Sequence, residues 1–147
     1  MSKPYILLVE DNPDDVELTR RAFAKNHIAN EVIVLNDGAS ACDFLLSDRG
    51  GRGLPQVILL DLKLPKVSGL EVLERIRNNA ETRLIPTVIL TSSKQEEDLL
   101  EGYRLGVNSY VRKPVDFNEF VEAVRQVGLY WLVLNEGPPS SPGGGMQ

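Results

Sequence analysis

Residues 57–69 read Val-Ile-Leu-Leu-Asp-Leu-Lys-Leu-Pro-Lys-Val-Ser-Gly. The stretch opens with four apolar residues and then reaches Asp61, which precedes a loop that contains a proline. A short apolar run that ends in turn-forming residues is typical of a strand buried on both faces. Beyond the loop, Leu70, Leu73 and Ile76 recur at helical spacing. The stretch therefore predicts a strand, a loop and a helix, with a carboxylate at the end of the strand.

The same alternation of a short apolar run and an amphipathic segment occurs five times along the chain. The predicted strands are Tyr5–Val9, Glu31–Leu35, Val57–Leu60, Thr87–Leu90 and Val107–Val111. The predicted helices are Asp14–Asn26, Ser40–Ser47, Gly69–Asn78, Gln95–Leu105 and Asp116–Leu134. Repeated strand–helix units of this kind predict an α/β fold in three layers, in which a five-stranded parallel sheet has helices on both faces.

The length and composition of the chain predict one domain. It has 147 residues, of which 42% are hydrophobic, enough for one core but not for two. We expect the domain to span residues 1–134, with its core at 4–127 and its last helix extended to about 134. Residues 135–147 are rich in proline, glycine and serine, so we expect a disordered tail there and no attached output domain.

Charge and cysteine content exclude several classes of function. A formal net charge of −5 is the wrong sign for a surface that binds nucleic acid. The single cysteine, Cys42, cannot form an internal disulfide, and no Cys/His cluster in the sequence matches a zinc site. The apolar stretches are too short to cross a membrane, and the first residues do not resemble a signal peptide. We therefore expect a cytoplasmic protein without membrane contact.

Polar side chains follow four of the five predicted strands. They are Glu10 and Asp11, Asp61, Thr91, and Lys113. Because ligands of open parallel sheets bind at the carboxyl ends of the strands, we expect these side chains to lie close together. Taken singly, each residue has an ordinary structural alternative: aspartate and threonine often cap helices or turns, and lysine is usually a solvated surface charge.

The residue types at this edge favour phosphoryl transfer. Carboxylates in a partly dry cleft repel one another unless a cation binds them, and Asp11 and Asp61, with Glu10 behind them, suit Mg²⁺. The sequence has no calcium-binding D-x-D-x-D-G loop. The Lys113 ammonium and the Thr91 hydroxyl could then hold phosphoryl oxygens.

Five separated motifs in this order are recognisable as those of a known family. They are Glu10-Asp11, Asp61 within residues 61–69, Thr91-Ser92, Tyr110, and Lys113-Pro114. Over roughly residues 4–127 the chain resembles the receiver domain of bacterial two-component response regulators. The resemblance implies a flavodoxin-like fold with strand order 2-1-3-4-5.

The resemblance also implies a role for each matching residue. Asp61 would accept a phosphoryl group from a histidine kinase, and Mg²⁺ would be held by Asp11, Asp61 and the backbone carbonyl of Lys63, with Glu10 assisting. Lys113 would hold a phosphoryl oxygen, and its bond to Pro114 would be cis. Thr91 and Tyr110 would form the switch pair, although Tyr110 taken alone is also a common kind of strand aromatic.

The chain lacks residues that other classes of phosphate-binding or phosphate-transferring protein require. A haloacid-dehalogenase-type phosphatase needs a second aspartate two residues after the first, where this chain has Lys63. The P-loop motif is absent from the sequence, and the acidic residues 11–15 would repel the phosphate of a flavin. Lys63 itself could alter access of the hydrolytic water to the phosphorylated aspartate.

The end of the last predicted helix favours self-association. Its outer side turns apolar at Leu129, Tyr130 and Val133, which predicts a homodimer through the fifth helix; the alternative is that this end folds back on its own domain. Residues 130–139 also resemble the small stand-alone receivers that partner bacterial phytochrome histidine kinases.

Two functional hypotheses remain from the sequence. In the first, phosphorylation changes association with itself or with an unknown downstream protein. In the second, the domain is a phosphate sink that drains and hydrolyses the phosphoryl groups of a kinase. Neither is a conventional enzyme, since the domain catalyses only its own phosphorylation and dephosphorylation.

Overall fold

The computed structural model of the protein describes residues 4–25, 30–47, 49–92, 94–96, 109–113, 116, 118–120 and 122. The strands are β1 (Tyr5–Val9), β2 (Glu31–Leu35), β3 (Val57–Asp61), β4 (Thr87–Thr91) and β5 (Ser109–Arg112). The helices are α1 (Pro13–Lys25), α2 (Gly38–Leu45) and α3 (Gly69–Arg77), with a single 3₁₀ turn at Arg49–Gly51. Residues 94–96, 118–120 and 122 are also helical.

All four strand pairings are parallel, and the strands lie in the order β2-β1-β3-β4-β5. Alternate residues of each strand point to opposite faces, so the sheet separates two apolar cores. Leu7 and Leu60 belong to the core that also contains residues of α2 and α3. Leu8 and Leu59 belong to the other, which contains Phe23 of α1 and Phe120. The predicted three-layer fold and strand order are thus confirmed.

Side-chain caps decide where two of the helices begin. The Asn12 Oδ1 atom accepts from the backbone N–H of Asp14 at 2.8 Å, so α1 begins at Pro13, a favoured first position for proline. The Asp37 carboxylate accepts from the backbone N–H of Ser40 at 2.6 Å and caps α2. The predicted bounds of α2, 40–47, are therefore wrong by two residues at each end, because Asp37 and not a later residue is the cap.

Three strands run one residue further than predicted. Asp61 pairs with Leu90, and Thr91 pairs with Arg112, so these polar residues end β3, β4 and β5 within the ladder. Backbone pairing does not require an apolar side chain, which is why the apolar runs marked the strand ends one residue early. The predicted β5 start at Val107, most of the helix over 95–105, and the chain beyond 122 lie outside the described residues.

Gly69, the first residue of α3, presses against the end of β3. A Cβ atom at this position would lie 2.3 Å from the Asp61 carbonyl oxygen and 2.6 Å from the Leu62 Cα atom. The Gly69 N–H donates to the Leu62 carbonyl at 2.9 Å. Only glycine permits this approach, so α3 directly supports the strand end that carries Asp61. Among the described helices none is long and apolar enough to span a membrane.

Candidate functional site

Three carboxylates meet at the carboxyl edge of the central strands. One oxygen each from Glu10, Asp11 and Asp61 can be chosen so that all lie within 4.8 Å of one another. Glu10 follows β1, and its backbone N–H donates to the Leu35 carbonyl of β2 at 3.0 Å. The Glu10 and Asp61 side chains are buried, whereas Asp11 is exposed. The structure thus brings together the three carboxylates that the sequence placed at strand ends.

Asp61 is held by donors on both of its carboxylate oxygens. Oδ1 accepts from the backbone N–H of Lys63 at 3.3 Å, and Oδ2 lies 3.3 Å from the Lys113 ammonium nitrogen. Its side chain is only 2% exposed. A buried carboxylate with fixed donors and a cation beside it is oriented for attack on an incoming electrophile.

Lys113 lies at the centre of the site and contacts three carboxylates. Its Nζ atom is 3.3 Å from Glu10 Oε1, 3.1 Å from Asp15 Oδ2 and 3.3 Å from Asp61 Oδ2. Burial by itself would lower the pKa of Lys113, but the charges of Asp61, Asp15 and Glu10 raise that pKa above its ordinary value. Lys113 therefore remains a cation at neutral pH. Its backbone N–H donates to the Thr91 carbonyl at 2.8 Å, which joins it to the end of β4.

Glu10 shows the electrostatic cost of this arrangement. Burial and the neighbouring Asp61 charge raise the pKa of Glu10 from 4.5 to about 7. Two contacts lower the pKa in part: the Asn12 N–H donates to Glu10 Oε2 at 3.1 Å, and the Lys113 charge lies nearby. Carboxylates that repel so strongly are well suited to a hard divalent cation, which prefers oxygen ligands. Glu10, Asp11 and Asp61 could therefore hold Mg²⁺.

A second group of contacts borders the acceptor on the β4 side. Thr91 is buried at the end of β4. The backbone N–H of Ser92, the next residue, donates to Glu96 Oε1 at 2.6 Å, and Glu96 Oε2 lies 3.4 Å from the Lys63 ammonium nitrogen. Lys63 and Glu96 thus connect the loop after β3 to the segment after β4. The sequence interpretation included Lys63 but missed Glu96, because a contact between a loop and a helical segment distant in sequence leaves no periodic signal.

Several predicted site residues fall outside the described structure. Tyr110 is described only as backbone, paired with Ile89 in the ladder. Its side chain, the bond from Lys113 to Pro114, and the dimer residues Leu129, Tyr130 and Val133 lie outside the described residues. The roles assigned to them remain predictions.

Asp15 was missed by the sequence interpretation, although it contacts Lys113. It lies in the first turn of α1, one turn before Thr19 and two turns before Phe23, both of which are buried. Residues spaced by four share a face of a helix, so the spacing places Asp15 at the inner edge of α1. A polar residue at Thr19 obscured this apolar stripe in the sequence.

The chain belongs to the response regulator receiver domain family, which matches residues 6–125. This class is the one that the parallel sheet and its acidic edge indicate. The "Probable methanogenesis regulatory protein FilR2" of Methanothrix harundinacea is 44% identical over 134 residues, which cover 90% of this chain and 86% of that protein.

The solved structures that resemble the chain include two bacteriophytochrome response regulators. AtBRR is 51% identical, covers 89% of this chain and 96% of its own, and superposes with a TM-score of 0.82. RtBRR is 55% identical, covers 95% of this chain and 86% of its own, and has a TM-score of 0.82. The chain is therefore a receiver domain related to phytochrome response regulators.

Two further solved relatives contain a metal ion or a phosphoryl group. The Mn²⁺-bound form of response regulator Rcp1 is 36% identical, with coverages of 93% and 99% and a TM-score of 0.71. The phosphorylated cyanobacterial phytochrome response regulator RcpA is 34% identical, with coverages of 95% and 100% and a TM-score of 0.72.

Proposed function

We propose that this receiver domain is a stand-alone response regulator that accepts a phosphoryl group on Asp61 in a Mg²⁺-dependent reaction. One observation carries the proposal. The buried Asp61 carboxylate ends the central strand β3, with the Lys113 ammonium 3.3 Å from one oxygen and two further carboxylates close enough to share a cation. Relatives that are solved with Mn²⁺ and in a phosphorylated form support it.

The residues divide the reaction between them. An Asp61 oxygen attacks the phosphorus of a kinase phosphohistidine; a P–O bond forms, the P–N bond breaks, and the departing imidazole takes up a proton. Mg²⁺, held by Glu10, Asp11, Asp61 and the Lys63 carbonyl, would neutralise charge on the transferring phosphoryl oxygens. Lys113 holds one such oxygen, and the Thr91 hydroxyl donates to another. Hydrolysis restores the free Asp61 carboxylate: water attacks the phosphorus, and the P–O bond to Asp61 breaks to release inorganic phosphate.

A small phosphodonor tests the acceptor role without the kinase. We expect the wild-type protein to gain the mass of one phosphoryl group from phosphoramidate in Mg²⁺, and to gain none in excess chelator. The Asp61→Asn variant should not be labelled, while Asp43→Asn, an exposed aspartate on α2, should label like the wild type. Equal labelling of Asp61→Asn would refute the proposal.

The output of the domain is a change in protein association. In the proposed switch, the Thr91 hydroxyl moves toward the phosphoryl group, and the Tyr110 ring turns into the space that it leaves. Phosphorylation replaces the single negative charge of the Asp61 carboxylate by a phosphoryl charge of about −1.5 to −2, and this change is enough to bias such a two-state element. We propose that the homodimer forms through Leu129, Tyr130 and Val133, and the apolar outer side of the predicted fifth helix supports this.

The lifetime of the phosphorylated state separates this function from a phosphate sink. A phosphoryl group that persists and alters self-association or partner binding favours a signalling role. A group that is lost within seconds, with no change in sedimentation, favours the sink. Release of inorganic phosphate from the labelled protein measures the lifetime, and sedimentation velocity with Mg²⁺, before and after addition of beryllofluoride, measures the change in association.

We further propose that the kinase partner is a bacterial phytochrome and that the protein acts in the cytoplasm. Membership of the receiver family implies a histidine kinase, and identities of 51% and 55% to two bacteriophytochrome response regulators support the narrower assignment. Phosphotransfer profiling tests it: phytochrome kinases should label Asp61 faster than unrelated histidine kinases do. Equal rates from all kinases would contradict it.

A further inference from the structure

Asp15 makes the shortest of the three carboxylate contacts with Lys113. Its Oδ2 atom lies 3.1 Å from the Lys113 nitrogen, against 3.3 Å for the nearest oxygens of Glu10 and Asp61. The Asp15 side chain is 22% exposed, and that of Lys113 is 15% exposed. An ammonium group has three N–H donors, so these three carboxylates can satisfy all of them.

Two of these partners change their charge environment during the proposed reaction. Glu10 and Asp61 belong to the set that would bind the cation, and Asp61 also becomes phosphorylated. In this proposal Asp15 neither binds the cation nor becomes phosphorylated. Among the described carboxylate partners of Lys113, it is the one that lies outside the three-carboxylate cluster.

The backbone holds Asp15 firmly in the first turn of α1. Its N–H donates to the Asn12 side-chain oxygen at 3.4 Å, and its carbonyl accepts from the buried Thr19 hydroxyl at 2.9 Å. Lysine, in contrast, has a flexible four-carbon stem and loses side-chain entropy when it is held in one place. A carboxylate carried on a backbone held in this way can therefore orient this lysine before the reaction begins.

We propose that Asp15 is a positioning residue that keeps the Lys113 ammonium at the acceptor while the cation binds and the phosphoryl group arrives. The inference rests on the proposed function, in which Lys113 holds a phosphoryl oxygen. Without Asp15, the described acceptors of the ammonium are oxygens of the cation-binding set, so the cation and Lys113 compete for them. Asp15 lessens this competition, because it gives Lys113 an acceptor outside the cation-binding set, and it keeps Lys113 preorganised.

A double-mutant cycle tests this role with two measurements. The variants are Asp15→Asn, Lys113→Met and their combination, with Asp14→Asn as a matched control, because Asp14 is an exposed neighbour in the same helical turn. The first measurement is the rate constant for phosphorylation by phosphoramidate in saturating Mg²⁺. The second is the urea midpoint of unfolding in chelator, which needs neither metal nor phosphoryl group.

We expect Asp15→Asn to slow phosphorylation by about 5- to 10-fold and Asp14→Asn to change it by less than about twofold. In the Lys113→Met background, Asp15→Asn should change the rate by less than about twofold, because the group that it positions is absent. The urea midpoints should show a favourable coupling, with Asp15 more stabilising when Lys113 is present.

An Asp15→Asn rate equal to that of Asp14→Asn, or the same loss with and without Lys113, would overturn the positioning role while the proposed function stands. Additive urea midpoints would overturn it as well. Failure of the wild type to label at Asp61 would instead overturn the proposed function, and the inference with it.

Discussion

Without a divalent cation, the free energy of unfolding should fall as the pH rises from about 5 to about 8, and Glu10 should be the cause. The Glu10 side chain is 1% exposed, and burial together with the Asp61 charge raises its pKa from 4.5 to about 7. The unfolded chain loses this proton near the ordinary pKa, whereas the folded chain keeps it until about 7. Between those values the folded state binds more protons, so raising the pH destabilises it.

The size of the effect follows from the pKa difference. One pKa unit corresponds to about 1.4 kcal/mol, so the shift from 4.5 to about 7 sets a ceiling of about 3 kcal/mol. Because Glu10 and Asp61 titrate as an interacting pair beside Lys113, we expect a loss of about 1–3 kcal/mol. In Glu10→Gln, which keeps the shape and the acceptor for Asn12, this loss should disappear. That variant should be more stable than the wild type at the upper end of the range.

Urea denaturation followed by circular dichroism, in excess chelator and at several pH values, measures the effect. The difference between wild type and Glu10→Gln at each pH isolates Glu10, because all the other ionisable residues are the same in both proteins. Mg²⁺ should stabilise the wild type by more at high pH than at low pH, since ligand binding to the folded state adds stability. A difference that does not vary with pH, or that grows in favour of the wild type as the pH rises, would refute the reasoning.

Three further perturbations give separate tests. Gly69→Ala adds a Cβ atom 2.3 Å from the Asp61 carbonyl oxygen. It should therefore lower the free energy of unfolding by about 1–3 kcal/mol and slow phosphorylation. An unchanged urea midpoint would contradict the close packing, and Glu74→Ala, a substitution at an exposed position of the same helix, is the control. Lys63→Ala removes the pair with Glu96 and should shorten the phosphorylated lifetime severalfold by opening the acceptor to water; release of inorganic phosphate at the wild-type rate would argue against this. Combined Leu129→Glu and Val133→Glu should give a monomer that is still phosphorylated, and a wild-type sedimentation coefficient would exclude the fifth-helix interface.

The sequence predicts the sheet well because most of its strands contain a run of three or more consecutive apolar residues. The predicted bounds of β1 and β2 match the structure, and the parallel pairing follows from the strand–helix alternation, whereas the strand order was implied by the resemblance to receiver domains. The strand and helix ends that were predicted wrongly have local causes. Asp61 and Thr91 stay in the ladder although they are polar, and the Asp37 side chain begins α2 two residues early.

The site was predictable in outline and not in detail. Strand ends place Asp61, Thr91 and Lys113 at one edge, because the carboxyl ends of parallel strands share an edge. The contacts of Asp15 and Glu96 depend on how a helix and a loop lie against that edge, and both are distances between segments far apart in the sequence. Asp15 and Lys113 are separated by most of the chain, so spacing alone could not join them.

The charge of the described site explains why the cation and the phosphoryl group must act together. Lys113 contacts the carboxylates of Glu10, Asp15 and Asp61, and the Asp11 carboxylate lies close to those of Glu10 and Asp61, so the described site holds four carboxyl groups and one ammonium group. Phosphorylation replaces the single negative charge of the Asp61 carboxylate by about −1.5 to −2 and so adds to this excess, which a single lysine cannot neutralise. A divalent cation offsets that added charge, so in the proposed function we expect phosphorylation without the cation to be strongly disfavoured. The repulsion expected to destabilise the metal-free fold at high pH is the same repulsion that would make the proposed transfer to Asp61 depend on the metal.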